Sequence, residues 1–230
     1  MSARLPLFPL GTVLFPGLVL PLHVFEERYR ALTRDLMALP GDPPREFGVV
    51  ALRQGWEVAP PGAADHGGVS LYEIGCSAEL RQVTELTDGG FDLVTVGRRR
   101  FRIEELLDAG TPYLTARVQW LPEGDGTDEQ ADRLAPRVLA VFRQYLALIR
   151  PGEAEEISEQ LPDDPTVLSH LVAATAALTL PERQRLLALT GTAARLRAEL
   201  RLLNRETALL RQVRAVPVPL AELGVTSSPN

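Results

Sequence analysis

The sequence LPLFPLGTVLFPGLVLPLHVFEERY, residues 5–29, decides how the chain is interpreted. From Leu5 to Phe25 it contains no Asp, Glu or Arg, which is also typical of a signal peptide or a membrane span. Four prolines in this stretch would break a spanning helix repeatedly, and charged residues follow where a small-residue cleavage site would stand. The segment therefore predicts short strands and turns, with one turn at Pro16-Gly17.

The composition is that of a globular protein from a reducing compartment. The 230 residues are 45% hydrophobic, which is enough to bury one or two cores. The net charge of −6 opposes attraction of the whole surface to nucleic acid or to an anionic membrane. Cys76 is the sole cysteine, so no intramolecular disulfide can form, and a cytoplasmic location is predicted.

The absence of lysine excludes several classes of enzyme. All 24 basic residues are arginine. A P-loop needs a lysine to reach the nucleotide phosphates, and a Ser–Lys dyad or a lysine Schiff base is equally impossible. We therefore predict a chain that is not an enzyme, with neither ATPase nor peptidase activity and with no cofactor.

Short strands dominate the first half of the chain. Alternation around Cys76 indicates a strand whose buried face includes this thiol, and Asp88-Gly89-Gly90 predicts a hairpin turn. One amphipathic helix, roughly Glu26–Leu39, interrupts the strands. The predicted strands are Leu18–Val24, Phe47–Leu52, Ile74–Leu80, Phe91–Val96, Phe101–Glu104 and Leu114–Trp120. This spacing favours a small barrel or a folded sheet.

The second half has the periodicity of helices, and Asp164-Pro165 predicts a helix start. Residues 123–165 carry 11 acids and 4 arginines, whereas residues 181–214 carry 3 acids and 8 arginines. We interpret this as two packed helices of complementary charge; the alternative is a basic face that docks a partner. The predicted divisions are a β domain over residues 1–122, a linker over 123–127, a helical lobe over 128–215 and a flexible tail over 216–230.

Four blocks of sequence, in order, resemble the substrate-binding domain of the ATP-dependent protease Lon. The blocks are LPLFPL, FPG and LPLHVFEERY within residues 5–29, then Leu71–Cys76, Val96–Ile103 and Tyr113–Leu121, followed by a similar helical stretch over Asp164–Val213. The resemblance covers Leu5 to Val213. It implies an α+β fold, a PUA-like six-stranded barrel followed by a helical bundle. It also implies a non-catalytic module that captures unfolded or hydrophobic protein segments, as an adaptor or holdase, in a form without the ATPase and peptidase domains.

The candidate protein-binding residues lie in the opening segment. Large apolar side chains there exceed what a short strand and a turn easily bury, and exposed apolar patches mark binding sites. We expect a shallow apolar groove on the barrel near the Glu26–Leu39 helix, at a sheet edge where prolines interrupt the ladder of hydrogen bonds. For Glu27 and Arg28, attachment of the helix to the barrel is the alternative role. The candidate residues are Phe8, Phe15, Leu18, Phe25, Glu27, Arg28 and Tyr29.

An RNA-binding PUA-like protein is the alternative function. It would use the strand Arg98–Arg102, whose arginines alternate with apolar residues as on a strand with one wet face. No aromatic platform adjoins them for base stacking, which disfavours this alternative. His23, His66 and His170 show no metal-ligand spacing, so no metal site is predicted. A separate Lon protease is a candidate partner, and the sequence leaves the client and the oligomeric state open.

Overall fold

One sheet of seven strands occupies the first half of the chain in the computed structural model, which describes residues 2–41, 44–54, 70–123 and 128–213. A helix, α1 (Glu27–Met37), lies between the second and third strands in sequence. The strands are β1 (Ser2–Leu10), β2 (Val19–Val24), β3 (Glu46–Gln54), β4 (Ser70–Leu71), β5 (Ile74–Glu85), β6 (Phe91–Leu107) and β7 (Thr115–Trp120). The predicted α+β class is confirmed.

The count of six strands is wrong for the part of the chain that the structure describes. Two predicted strands, Phe91–Val96 and Phe101–Glu104, are one continuous strand, β6. Two further strands were not predicted, because apolar and polar residues do not alternate along them. β1 is buried on both faces over its last four residues, and β4 has only two residues.

The strand pairings form a ring. β1 pairs antiparallel with β7 and parallel with β3, so the order β1-β7-β6-β5-β3 leads back to β1. β2 adds to β6, and β4 adds to β3. Among the described residues β2 has β6 as its single partner strand, so its other side is an edge.

A bulge in β6 changes which arginines face solvent. Arg98 and Arg99 together lie opposite Ser77, so β6 has one residue more than β5 at this point. Such a bulge re-aims the side chains that follow it. Arg98 and Arg99 are therefore both exposed, whereas Arg100 is fully buried. The regular alternation predicted for this strand is wrong at Arg100.

The helix α1 packs on the sheet through Tyr29, Leu32 and Leu36. These side chains share a buried cluster with Phe8 and Phe47, and the ring of Phe8 stacks on that of Tyr29 with centroids 3.9 Å apart. Full burial of each large apolar side chain contributes roughly 1.5–3 kcal/mol. This cluster holds the helix against the strands, as expected of the amphipathic helix predicted here.

Five helices form the described part of the second half. The predicted start at Asp164 is confirmed, because its carboxylate accepts hydrogen bonds from the N–H groups of Thr166 and Val167, both at 2.8 Å. The sequence did not predict the third helix of the chain, which has six residues. The helices are α2 (Glu129–Ile149), α3 (Ala154–Glu159), α4 (Pro165–Thr175), α5 (Leu180–Ala188) and α6 (Thr192–Val213).

The helical half and the sheet share one apolar cluster. Phe15 and Ile74, from the sheet half, lie in it together with Phe142 of α2 and Leu168 of α4. The side-chain amide of Gln184 donates to the carbonyl oxygen of Ile74 at 2.8 Å. Residues 124–127 of the predicted linker and the tail from residue 214 lie outside the described residues, so the domain division stays a prediction.

Arg100 crosses from β6 into the junction with the helices. Its Nη1 donates to the carbonyl oxygens of Leu187 and Leu189 at 2.8 and 2.7 Å. Its Nε lies 2.5 Å from a carboxylate oxygen of Glu123, and its Nη2 donates to the carbonyl oxygen of Pro122 at 3.2 Å. A single buried guanidinium thus joins the sheet, the segment after β7 and the end of α5.

Candidate binding surfaces

An exposed apolar surface covers the outer side of β2 and the neighbouring part of β6. We define the β2 face as Val19, Pro21, Phe25 and Val94. Val19 is 62% exposed, Phe25 53% and Val94 36%. Pro21 pairs in register with Val94, so the two strands present apolar side chains side by side. The β2 face therefore combines apolar side chains with an open strand edge.

The edge character of β2 follows from its sequence. Pro21 has no N–H group and cannot donate to a further strand, and prolines within sheets are found at edges for that reason. His23 Nδ1 and Asp92 Oδ1 lie 2.8 Å apart across the pair β2–β6, so a polar pair borders the apolar patch. The edge strand predicted in this segment, around Leu18–Val24, thus agrees with the pairing of β2 to β6.

Three of the seven predicted binding residues are buried: Phe8, Phe15 and Tyr29. Phe8 is 6% exposed and Phe15 is 0% exposed, so the expectation that they line an open groove is wrong. The helical half covers Phe15, whose ring lies 6.2 Å from that of His170, and α1 covers Phe8. Leu18 is half-buried and packs against both apolar clusters. Phe25 is exposed, unlike Phe8, Phe15 and Leu18.

The charged residues at the start of α1 have different environments. Glu27 is exposed and lies 2.8 Å from Arg34 Nη1, and the hydrogen bond from Arg34 is the main cause that lowers the pKa of its carboxyl. Arg28 pairs with Glu26 at 3.0 Å and lies over the ring of Tyr29, 4.5 Å from its centroid. Tyr29 is buried. These contacts suit attachment of the helix, and a role of the three residues in binding stays a prediction.

A groove of about 410 Å³ lies between α1 and β1. The Tyr113 hydroxyl donates to Asp35 Oδ2 at 2.6 Å beside it, and burial, followed by this contact, raises the pKa of Tyr113 to about 12. None of the seven predicted residues lines the groove. Its lining comes from distant parts of the sequence: Arg4, Leu5, Pro6, Leu32, Asp35, Leu36, Leu39, Pro44, Glu46, Arg99, Tyr113 and Trp120.

The arginines proposed for RNA binding do not form one exposed row. Arg100 is buried and its guanidinium is occupied by the junction described above. Arg98 pairs with Glu79 at 2.9 Å. Arg99 pairs with Glu46 and lies over the ring of Trp120, 3.8 Å from its centroid. The RNA alternative requires a row of exposed arginines along Arg98–Arg102, and that expectation is wrong at Arg100, which is buried.

The buried titratable groups serve packing in this structure. Burial, followed by the charges of Arg195 and Arg100, lowers the pKa of His170 to about 2. Burial also raises the pKa of the Cys76 thiol, which suits an unreactive core residue. Within residues 2–41, 44–54, 70–123 and 128–213, no group of three or more His, Cys, Asp or Glu is placed to hold a metal ion.

Comparison with known proteins decides the family. Residues 4–205 match the sequence profile of the ATP-dependent protease La (LON) substrate-binding domain. The chain belongs to the LON substrate-binding domain family. It is 32% identical over 215 residues to Lon protease of Anaeromyxobacter dehalogenans, and 33% identical over 211 residues to Lon protease 2 of Myxococcus xanthus. These alignments cover 92% and 90% of this chain but 24% of each relative.

Solved structures of LON N-terminal domains share the fold. The N-terminal domain of the Mycobacterium avium complex Lon protease gives a TM-score of 0.65 at 20% identity, covering 90% of this chain and 98% of that one. The Lon N-terminal domain protein from Xanthomonas campestris gives 0.57 at 24% identity, covering 88% of this chain and 98% of that one. The family model that matches this chain describes a substrate-binding domain, which is non-catalytic. In the described parts of the chain, no helix has the length and apolar character needed to cross a membrane.

Proposed function

We propose that this chain is a non-catalytic module that captures exposed apolar segments of unfolded polypeptides through the β2 face. The observation that carries the proposal is an open strand edge with Val19 and Phe25 exposed beside it, in a domain of a substrate-binding family. Exposed apolar patches of this kind mark interaction sites. An adaptor or holdase role, with a separate Lon protease as a candidate partner and the cytoplasm as the location, follows as part of the same proposal.

The fold suits capture of an extended client. An unfolded segment can add its backbone to a strand edge while its side chains enter neighbouring apolar surface. Pro21 interrupts the ladder of donors on β2, so side-chain contacts with Val19 and Phe25 would supply most of the affinity. The ring of strand pairings supports the PUA-like barrel that the family resemblance implies, and such a barrel would hold this edge rigid. Affinity would be modest because the client loses conformational entropy when it is ordered.

Replacement of Phe25 by serine tests the proposal. About half of this side chain is exposed, and its burial by a client is worth about 1 kcal/mol, so Phe25→Ser should weaken binding about fivefold. The measurement is fluorescence anisotropy with a reduced and alkylated protein that cannot refold. Thermal melting checks that each variant is folded.

The matched control is Leu209→Ser on α6. Leu209 is 47% exposed, close to the 53% of Phe25, but lies outside the β2 face. The control should bind the unfolded protein as the parent does. Equal losses in the two variants, or no loss in either, would refute binding at the β2 face.

A further inference from the structure

A second groove, of about 670 Å³, lies between α5 and the first half of α6. Its apolar floor is half-buried and comes from both sides of the turn that joins the helices: Leu189, Ala194, Ala198 and Leu202. Four exposed arginines and one glutamate also line it: Arg185, Arg197, Arg201, Arg205 and Glu182. The groove is therefore positive in a chain whose net charge is −6.

The residues of α6 line this groove in two parallel stripes. Arg197, Arg201 and Arg205 recur every four residues, so they lie on one side of the helix about 6 Å apart along its axis. The floor residues of α6 also recur every four residues beside them. The two alanines in that stripe are small, so a second helix can approach α6 closely at this point.

The charge of the groove is only partly neutralised within the chain. Arg205 pairs with Glu182 at 2.7 Å and with Glu206 at 2.6 Å, and the hydrogen bond from Arg205 is the main cause that lowers the pKa of Glu182 to about 2. In the described residues, Arg185 and Arg201 make no ion pair or hydrogen bond through their side chains. Within the part of the chain that the structure describes, these two guanidinium groups thus line the groove without a carboxylate paired to them.

The acidic stretch 123–165 does not neutralise these arginines. The side-chain hydrogen bonds from α6 to α2 go to amide oxygens, from Arg197 to Gln130 and from Arg211 to Gln144. No ion pair joins the described acids of this stretch to an arginine of α6. The helices α2 and α6 do pack together, as interpreted from the sequence, but among the described residues no ion pair between them uses the opposite charges of the two stretches. The basic side therefore remains open to a partner.

We propose that this groove docks an amphipathic helix of a partner protein whose carboxylates face the arginines. Carboxylates four residues apart on a helix repeat at the same spacing as Arg197, Arg201 and Arg205, and leucines beside them would enter the apolar floor. Six of the eleven lining residues are leucine or alanine and none is aromatic, which suits a polypeptide better than stacked bases. The surface is separate from the β2 face, so this proposal and the proposed function can fail independently.

The test uses the whole chain and a labelled synthetic peptide of about 16 residues, long enough for partial helix formation. The peptide carries Leu along one side and Glu at every fourth position beside it; a second peptide has Gln in place of Glu. The Glu peptide should bind at least about fivefold more tightly at low salt, and the difference should shrink as salt is raised. Equal affinity for the two peptides, or no binding of either, overturns the proposal.

Paired variants locate the site. The double variant Arg185→Gln and Arg201→Gln removes two exposed charges without breaking an ion pair or hydrogen bond among the described residues, and should weaken Glu-peptide binding about tenfold. The charge-matched control is the double variant Arg137→Gln and Arg143→Gln, two exposed arginines of α2 outside the groove, and it should bind as the parent does. Phe25→Ser should also leave this binding unchanged. A loss with Phe25→Ser, an equal loss in the control, or tighter binding of single-stranded RNA than of the Glu peptide would overturn the assignment.

Discussion

Replacement of Arg100 by alanine should remove much of the coupling between the sheet and the helices. The guanidinium is fully buried and satisfies the carbonyl oxygens of Leu187 and Leu189 at the end of α5. Each buried carbonyl left without a donor costs about 1–3 kcal/mol. Glu123 is 30% exposed, so its carboxylate can regain water and adds less. The expected loss in the free energy of unfolding is about 3–5 kcal/mol.

This loss is large enough to measure in a chain of 230 residues. At roughly 2–4 °C per kcal/mol for a protein of this size, the Tm should fall by about 10 °C. Urea denaturation followed by far-UV circular dichroism gives the free energy directly. Arg100→Lys keeps a positive charge but not the planar fork of donors, so it should recover less than half of the loss.

Arg102→Ala is the matched control for this prediction. Arg102 lies two residues along the same strand and is exposed, so its removal should change the free energy of unfolding by no more than about 0.5 kcal/mol. A loss of unfolding free energy in Arg100→Ala below about 1 kcal/mol, or no larger than in the control, would refute this prediction. The hydrogen bonds of the guanidinium would then not hold the junction together.

Three further outcomes follow from individual contacts. The pKa of His170 in the folded protein, about 2, lies below its ordinary value of 6.5, so a falling pH protonates this side chain only in the unfolded chain. Between pH 6.5 and pH 5 the parent should therefore lose about 1.4 kcal/mol of unfolding free energy per pH unit relative to His170→Gln. Urea denaturation measures this difference, and unfolding free energies that change equally with pH in the two proteins would contradict it. Gly97→Ala places a Cβ 2.2 Å from a backbone oxygen of Phe15 and should lower the Tm by several degrees, whereas Gly152→Ala meets nothing within 4 Å and should not. Asp164→Ala should cost about 1 kcal/mol in thermal melts through loss of the α4 cap, and an unchanged Tm would argue against the cap.

Local signals allowed prediction of helix starts and of most strands. The start of α4 was predictable because Asp164 and Pro165 act within one turn, whatever packs around them. The prediction divided β6 in two because of the bulge at Arg98 and Arg99, where β6 has one residue more than β5. Such a bulge is defined by the pairing of two strands, and the sequence of one strand does not specify its register with the other. The strand β1 was missed because its last four residues are buried on both faces, so apolar and polar residues do not alternate there.

The candidate site was less predictable because exposure depends on tertiary packing. Phe15 and Phe25 both adjoin the same proline-rich segment, yet the first lies under the helical half and the second is half exposed. Nothing within residues 5–29 distinguishes them. The basic groove had a signal in the excess of arginine over residues 181–214, but whether those charges were already paired could be decided only from the positions of Gln130 and Gln144.

The position of β1 between β3 and β7 has a consequence for the timing of folding during synthesis. Ser2 pairs in register with Gln119, and Leu5 with Ala116, so β1 is synthesised more than a hundred residues before the strand with which it pairs. A nascent chain that ends before β7 can pair β1 with β3 but leaves the other edge of β1 open, with Leu5 uncovered. Such long-range pairing slows folding and exposes aggregation-prone edges. β1 is thus made long before β7 and is protected on both edges only after β7 has been made.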